Sequence, residues 1–206
     1  GSALLGYAIL AIATLHGYLS SVFLLCFAFA IDGPHVFSTL TRALFDSGER
    51  SRVRLLWILG FPACAVGILV LAMLAGAHPA FVVVAVFAHY HISKQHMGFV
   101  MIYKRKAGER TDFKIDKYFT LVSLMLPLCF YLARVIFNVR SIVPFLAAGF
   151  VLAILYFGYQ LRKPVRNVPK LGLLLAFIPL QWLAWSFAAS DPHSMPRLVA
   201  AGISMN

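Results

Sequence analysis

Long apolar segments alternate with short polar ones along most of the chain. A helix of about 20 apolar residues matches the thickness of the hydrocarbon core of a bilayer. Six segments of this kind can be marked: about Ala3–Ile31, Leu55–Ala77, Pro79–Tyr103, Tyr118–Phe137, Ile142–Leu161 and Val168–Ala189. The pattern therefore predicts an all-α fold, a polytopic transmembrane helix bundle with about six spans.

A shorter amphipathic stretch separates the first two of these segments. It begins at Pro34, a residue typical of the first turn of a helix, and it has apolar residues at helical spacing. At roughly a dozen residues it is too short to span a bilayer, so we predict an interfacial or re-entrant helix. A seventh helix would begin at Met195. Without an internal repeat, residues 1–206 read as a single integral-membrane domain that could be truncated at one or both ends.

Proline and cysteine positions add two local expectations. Pro62, Pro127 and Pro179 fall inside predicted spans, where each should kink its helix. The three cysteines lie inside apolar segments without CxxC spacing, so we expect buried, unpaired thiols at Cys26, Cys64 and Cys129.

The composition agrees with a membrane environment. Hydrophobic residues make up 61% of the 206 residues and charged residues 12%, whereas soluble domains carry about 25% charged residues. A chain of this length has too much surface to bury so many apolar side chains in a core of its own. Lipid must therefore solvate most of them.

The net charge of +11 would suggest nucleic acid as the partner of a soluble protein. Here most of the lysines and arginines fall in loops on one side of the predicted membrane, with only Arg134, Arg140 and Arg197 on the other. Basic loops remain cytoplasmic in membrane proteins. The charge therefore predicts an integral membrane protein, in a bacterial inner membrane with its basic loops cytoplasmic, whose partner is the lipid bilayer and no nucleic acid.

Histidines and one acid are the candidate chemistry of this apolar chain. Imidazole and carboxylate groups together are ligands for iron, zinc or copper, and ionisable groups inside spans are costly enough to suggest function. The candidate metal ligands are Asp32, His35, His89, His91 and His96. Tyr90 and Gln95 could orient the imidazoles through hydrogen bonds.

Helix geometry supports a shared depth for these groups but not a shared direction. His96 would lie roughly 12 Å from Lys104, at the same end as Asp32 and His35. At about 100° per residue, His89 and His96 share a face, whereas His91 points about 140° away from His96. Two sites, a local unwinding near Ser93–Gly98, or an indirect role for one histidine would each resolve this conflict.

The segment "HISKQH" resembles the first histidine box of the integral-membrane fatty-acid desaturases and alkane hydroxylases. The resemblance covers about a dozen residues and implies that His91 and His96 are iron ligands at a cytoplasmic helix end. It also implies a di-iron centre that activates dioxygen. The later histidine boxes of that family are absent from these 206 residues.

The sequence therefore favours a membrane-embedded, metal-dependent oxidoreductase, with non-haem iron as di-iron or mononuclear cofactor. Its type would be an O2-dependent hydroxylase or desaturase. Its substrate would be a lipid or another apolar small molecule, and an electron-donor protein would be its partner.

Three alternatives remain open. His16 and His89 lie at matching depth on different spans, as the two ligands of haem b in an electron-transfer subunit would. Asp32, Lys94 and the histidines could instead form a relay in an ion- or proton-coupled transporter. The chain could also be a non-catalytic subunit of a larger membrane complex.

Overall fold

The computed structural model describes residues 8–9, 11–12 and 59–205. Nearly all of the first predicted span lies outside the described residues, as does the short helix after it. The same holds for the candidates His16, Asp32 and His35, and for Cys26.

Helices make up the described part of the chain, and no strand occurs in it. The helices from residue 61 onward are α1 (Phe61–Ala75), α2 (Ala77–Lys106), α3 (Phe113–Phe137), α4 (Val143–Leu161), α5 (Val168–Ser190) and α6 (Met195–Met205). The all-α prediction is confirmed for these residues. A helix also begins at Met195, where the sequence indicated another one.

Three of these helices, α3, α4 and α5, are long and apolar enough to cross a membrane. The apolar part of α1 is shorter, and α2 is longer but carries histidines and lysines in its second half. Residues 59–205 therefore agree with an integral membrane protein and supply three candidate spans. The count of six is not reached within the described residues.

Helix ends coincide with residues suited to them. Asn167 caps α5 by accepting a hydrogen bond from the backbone N–H of Lys170 at 3.2 Å. Gly76, with φ of 92°, separates α1 from α2 in a conformation that favours glycine. Pro62 lies in the first turn of α1, and Pro127 and Pro179 lie inside α3 and α5, so the kinks expected at these prolines stay predictions.

The described bundle centres on α2, α3 and α5. Helix α3 packs along α5, α2 packs against both, and α1, α4 and α6 cover this group from outside. The most buried large side chains of the core are Trp185, Tyr131, Leu124 and Leu174. The outer faces are strongly apolar, and Leu74, for example, is 83% exposed. Such faces are consistent with contact with lipid.

Cys64 and Cys129 are exposed rather than buried, which corrects the expectation for these two cysteines. Both lie in apolar helices, so in an integral membrane protein an outward-facing thiol would meet lipid rather than water. Neither forms a disulfide within the described residues.

The loops between the helices lie at two opposite ends of the bundle. The α2–α3 and α4–α5 loops meet, because Asn167 donates a hydrogen bond to the Tyr103 carbonyl oxygen at 3.1 Å. At the other end, His78 Nε2 donates to the Pro192 carbonyl oxygen at 2.9 Å. The basic segments 104–117 and 162–170 therefore share one end of the bundle, called the basic end below.

Candidate functional site

His89 is fully buried where α2, α3 and α5 meet. Its Nε2 donates a hydrogen bond to the Leu124 carbonyl oxygen at 2.8 Å. Its Nδ1 accepts a hydrogen bond from Trp185 Nε1 at 3.2 Å, and the two rings meet edge to face. A neutral imidazole has one donor and one acceptor nitrogen, and both are used here. Binding of a metal or haem by His89 would therefore break a buried hydrogen bond.

The neighbouring candidates on α2 face outward. His91 and Tyr90 are exposed, and Gln95 Nε2 donates a hydrogen bond to His91 Nε2 at 2.9 Å. The Lys94 ammonium lies 5.8 Å from the centre of the Tyr90 ring. These side chains thus lie on the part of α2 that points away from the core around His89.

His96 is half-buried and lies on the same face of α2 as His89. Its Nδ1 donates a hydrogen bond to the Ile92 carbonyl oxygen at 2.9 Å, and its ring packs 4.5 Å from the Phe177 ring. This leaves Nε2 with its lone pair, hydrogen-bonded to no described residue. Metal-binding histidines commonly take this arrangement, with one nitrogen donating to a carbonyl and the other free to bind.

Helix α2 is unbroken from Ala77 to Lys106, so the local unwinding considered for Ser93–Gly98 does not occur. His91 consequently remains on a different side of the helix from His89 and His96. Within residues 8–9, 11–12 and 59–205, no three histidine, cysteine or acidic side chains are placed to hold a metal ion together. The three described candidates, His89, His91 and His96, do not by themselves form a metal centre.

A second group of polar residues, which the sequence analysis did not anticipate, lies at the basic end. We call it the ionic cluster, and its members are Lys104, Glu109, Asp112, Asp116, Lys163 and Lys170. They come from α2, the α2–α3 loop, α3, the α4–α5 loop and α5. The three lysines balance the three carboxylates, so the cluster has no net charge.

Asp116 forms the buried centre of the ionic cluster. Its carboxylate is fully buried and forms ion pairs with Lys104 and Lys170, the latter at 3.2 Å. Tyr156 donates its hydroxyl to Asp116 Oδ1 at 2.5 Å, and Gln160 Nε2 donates to the same oxygen at 3.2 Å. A buried charge is tolerated where it is paired and hydrogen-bonded in this way.

Glu109 connects the loops to that centre. Lys170 Nζ donates to both Glu109 carboxylate oxygens at 3.0 Å, and Lys163 Nζ lies 2.8 Å from Oε1. Asn167 Nδ2 donates to Oε2 at 3.3 Å. One carboxylate in the α2–α3 loop thereby fixes the α4–α5 loop and the start of α5.

The outer edge of the cluster is open to solvent. Lys163 also pairs with Asp112 at 2.7 Å, and the Tyr159 hydroxyl donates to Asp112 at 2.9 Å. A surface cavity of about 550 Å³ is lined by these three residues together with Glu109 and Arg166. Protons and water therefore reach Glu109 and Asp112 without unfolding of the bundle.

The cluster shifts the pKa of its loop groups. Partial burial by itself raises the pKa of Glu109, but hydrogen bonds from Lys163 and Lys170 outweigh it and lower the pKa from 4.5 to about 2. Hydrogen bonding from Lys163 also lowers the pKa of Asp112. Burial lowers the pKa of Lys163, but its bonds to the two carboxylates produce a net increase.

These shifts predict how the stability of the protein depends on pH. A carboxyl whose pKa is lower in the folded state stabilises that state above the unfolded pKa. We expect the contribution of Glu109 to be complete above pH 4.5 and lost as the pH falls through about 2. Unfolding midpoints of the protein in lipid nanodiscs, measured between pH 7 and pH 2, should fall over this range.

Glu109→Gln should be less stable than the wild-type protein at neutral pH, and its unfolding midpoint should fall less steeply as the pH is lowered. Asp191→Asn, which changes an exposed acid at the other end of the bundle, serves as the control. If the unfolding midpoint of Glu109→Gln fell with pH as steeply as that of the wild-type protein, the lowered pKa of Glu109 would be contradicted.

The cluster has two features that the sequence analysis did not anticipate. Asp116 on α3 is completely buried in the bundle, whereas Asp32 was the only acid to which the sequence analysis assigned a role. Lys104, Lys163 and Lys170, which the sequence placed on the basic side, are each paired with carboxylates. The sequence did contain one sign of this cluster, because three of its only seven acids lie between residues 109 and 116.

Comparison of the chain with models of protein families, with curated proteins and with solved structures finds no match. The likeness of "HISKQH" to a histidine box therefore stays a prediction based on His91 and His96 alone.

Proposed function

We propose that this chain is an integral membrane protein of six spans, with its basic end on the cytoplasmic side of a bacterial inner membrane. We further propose that it is a metal-dependent oxidoreductase that uses non-haem iron and acts on a lipid or another apolar molecule. The three long apolar helices and the meeting of the basic loops at one end support the membrane topology.

The observation that carries the proposed chemistry is the orientation of His96. Its Nδ1 proton is bound by the Ile92 carbonyl oxygen, and its ring is held against Phe177. The imidazole is therefore fixed in the tautomer that presents Nε2 as a ligand atom. A fixed, neutral imidazole at the edge of an apolar bundle is suited to iron.

The remaining ligands of this proposal are Asp32 and His35, which lie outside the described residues. Together with His96 they would form a set of two histidines and one carboxylate, the set typical of non-haem Fe(II) oxygenases. His91 points about 140° away from His96 along an unbroken helix, so we assign it no ligand role at this site. We assign His89 to the packing of the bundle.

Iron bound to such a set would supply the activation of dioxygen. The residues of the chain would hold the ligands and keep water away from the reacting atoms. The apolar outer faces of the helices would give an apolar substrate lateral access from the bilayer. The haem alternative is less well supported, because His89 uses both of its ring nitrogens within the bundle.

The test is the iron content of the full chain, purified in lipid nanodiscs after anaerobic loading with Fe(II). We expect bound iron in the wild-type protein and a loss of about tenfold or more in His96→Ala, since deleting a ligand costs at least as much as deleting its supporting contacts. His78→Ala is the matched control, because His78 lies at the opposite end of the bundle. Absence of iron from the wild-type protein, or full retention in His96→Ala, would contradict the proposal.

A further inference from the structure

Three buried polar atoms lack a hydrogen-bond partner in the described part of the chain. They are Thr120 Oγ1 and Ser123 Oγ on α3, and Gln181 Oε1 on α5. All three side chains are at least nine-tenths buried: the residues are 0%, 3% and 1% exposed, respectively. They lie in the interior of the bundle and do not belong to the ionic cluster.

The helix contacts bring these atoms to one level of the bundle. On α5, Gln181 lies one turn from Phe177 and one turn from Trp185, which contact His96 and His89. The antiparallel pairing of α2 with α5 therefore places Gln181 opposite Ser93, midway between the two histidines. Ser93 is also fully buried, and its hydroxyl donates to the His89 carbonyl oxygen at 2.8 Å.

Helix α3 adds its two hydroxyls near the same level. The Leu124 carbonyl oxygen accepts the hydrogen bond from His89, Thr120 lies one turn before Leu124 on the same face of α3, and Ser123 lies three residues after Thr120. Ser93, Thr120, Ser123 and Gln181 thus form a polar layer at the interface of α2, α3 and α5. The His89–Trp185 pair bounds this layer on one side, and the His96–Phe177 pair bounds it on the other.

Unpaired polar atoms are costly at this position. A buried hydroxyl or amide oxygen without a partner costs free energy comparable to a lost hydrogen bond, and a hydrocarbon environment offers no substitute. This cost adds up for three such atoms on neighbouring turns, whereas one or two water molecules could satisfy all of them. We infer that the polar layer is an internal hydration site that binds ordered water between α2, α3 and α5.

The chemistry of the layer selects water over a cation. Its members are hydroxyl and amide groups, and no carboxylate lies among them. The acids Glu109, Asp112 and Asp116 are already paired with lysines in the ionic cluster. Neutral groups that can both donate and accept match a water molecule, which typically makes about three hydrogen bonds. The inference is independent of any iron bound at His96.

Isosteric substitutions separate a hydrated layer from a dry one. In a hydrated layer, Thr120→Val removes a partner of the bound water, so the unfolding midpoint in lipid nanodiscs should fall by about 2–6 °C. In a dry layer the same change removes an unpaired hydroxyl, and the midpoint should rise. Combining Thr120→Val with Ser123→Ala and Gln181→Met should lower the midpoint by less than the sum of the three single changes.

Two further measurements keep the test decisive if a variant folds poorly. NMR of the wild-type protein with ¹⁵N-labelled glutamine should show transfer from water to the side-chain amide of Gln181, assigned by its loss in Gln181→Met. Ser204→Ala is the stability control, since Ser204 is a buried serine whose hydroxyl already donates to Ala201. Absence of that transfer, a higher midpoint in Thr120→Val, or a midpoint that depends on Na⁺ in place of choline would each overturn the inference.

Discussion

Replacement of Asp116 by asparagine is expected to destabilise the folded bundle by about 3–5 kcal/mol, the cost of breaking a buried ion pair from one side. Lys104 and Lys170 would keep their charges in a buried site while losing the carboxylate that both contact. Tyr156 would also lose the charged acceptor of its hydroxyl. Chemical denaturation in lipid nanodiscs measures the free energy of unfolding.

Two comparisons make this prediction specific. Asp191→Asn alters an exposed acid, so its free energy of unfolding should remain within about 0.5 kcal/mol of the wild-type value. Asp116→Leu combined with Lys170→Met removes a buried charge of each sign, so the double variant should lose less stability than the sum of the two single changes. A wild-type free energy of unfolding for Asp116→Asn would show that the cluster does not hold the bundle together.

Replacement of His89 by leucine is expected to lower the free energy of unfolding by about 2–3 kcal/mol. The change leaves the Trp185 indole N–H without its acceptor in the core and removes the donor to the Leu124 carbonyl oxygen. The free energies of unfolding of His89→Leu, Trp185→Phe and the double variant form a thermodynamic cycle. We expect a coupling energy between the two residues of about 1 kcal/mol or more.

The same variant distinguishes packing from cofactor binding. If His89 holds helices together, His89→Leu lowers stability but leaves any iron content and visible absorption unchanged. His91→Leu, at an exposed position on the same helix, should change stability far less. A Soret band in the wild-type protein that disappears in His89→Leu would instead support the haem alternative.

The apolar pattern predicted the described helices closely because long uninterrupted apolar segments are a strong signal. The last long segment was expected at Val168–Ala189, and α5 spans Val168–Ser190. The segment expected at Pro79–Tyr103 corresponds to α2, which is longer at both ends. The extra C-terminal residues include Lys104, whose polarity ended the apolar pattern but whose pairing with Asp116 allows it to be buried.

The ionic cluster was beyond sequence reasoning because its members are far apart along the chain. Lys170 and Glu109 are separated by 61 positions, and helical periodicity relates residues only three or four positions apart. The sequence showed charges of both signs near Asp116 but not which of them would meet. The sequence therefore did not distinguish the paired lysines from exposed lysines such as Lys106.

The sequence predicted on which sides of the helix the histidines lie, but not which residues they contact. Helical geometry correctly separated His91 from His89, and α2 retains that separation. The acceptor role of His89 depends on Trp185, which is 96 positions away. A pattern of histidines alone could not distinguish a ring that joins helices from the ring of His96, whose Nε2 bonds to no residue in the described part of the chain.

Under the proposed membrane topology, the lysines of the ionic cluster would act at two stages in the life of the chain. During insertion by the translocon the helices have not yet packed, and acidic residues contribute little to the decision on orientation. Lys104, Lys163 and Lys170 then count as full positive charges, although the mature fold neutralises them. A substitution at Lys163 would therefore disturb both biogenesis and the final structure, whereas one at exposed Arg105 would affect biogenesis alone.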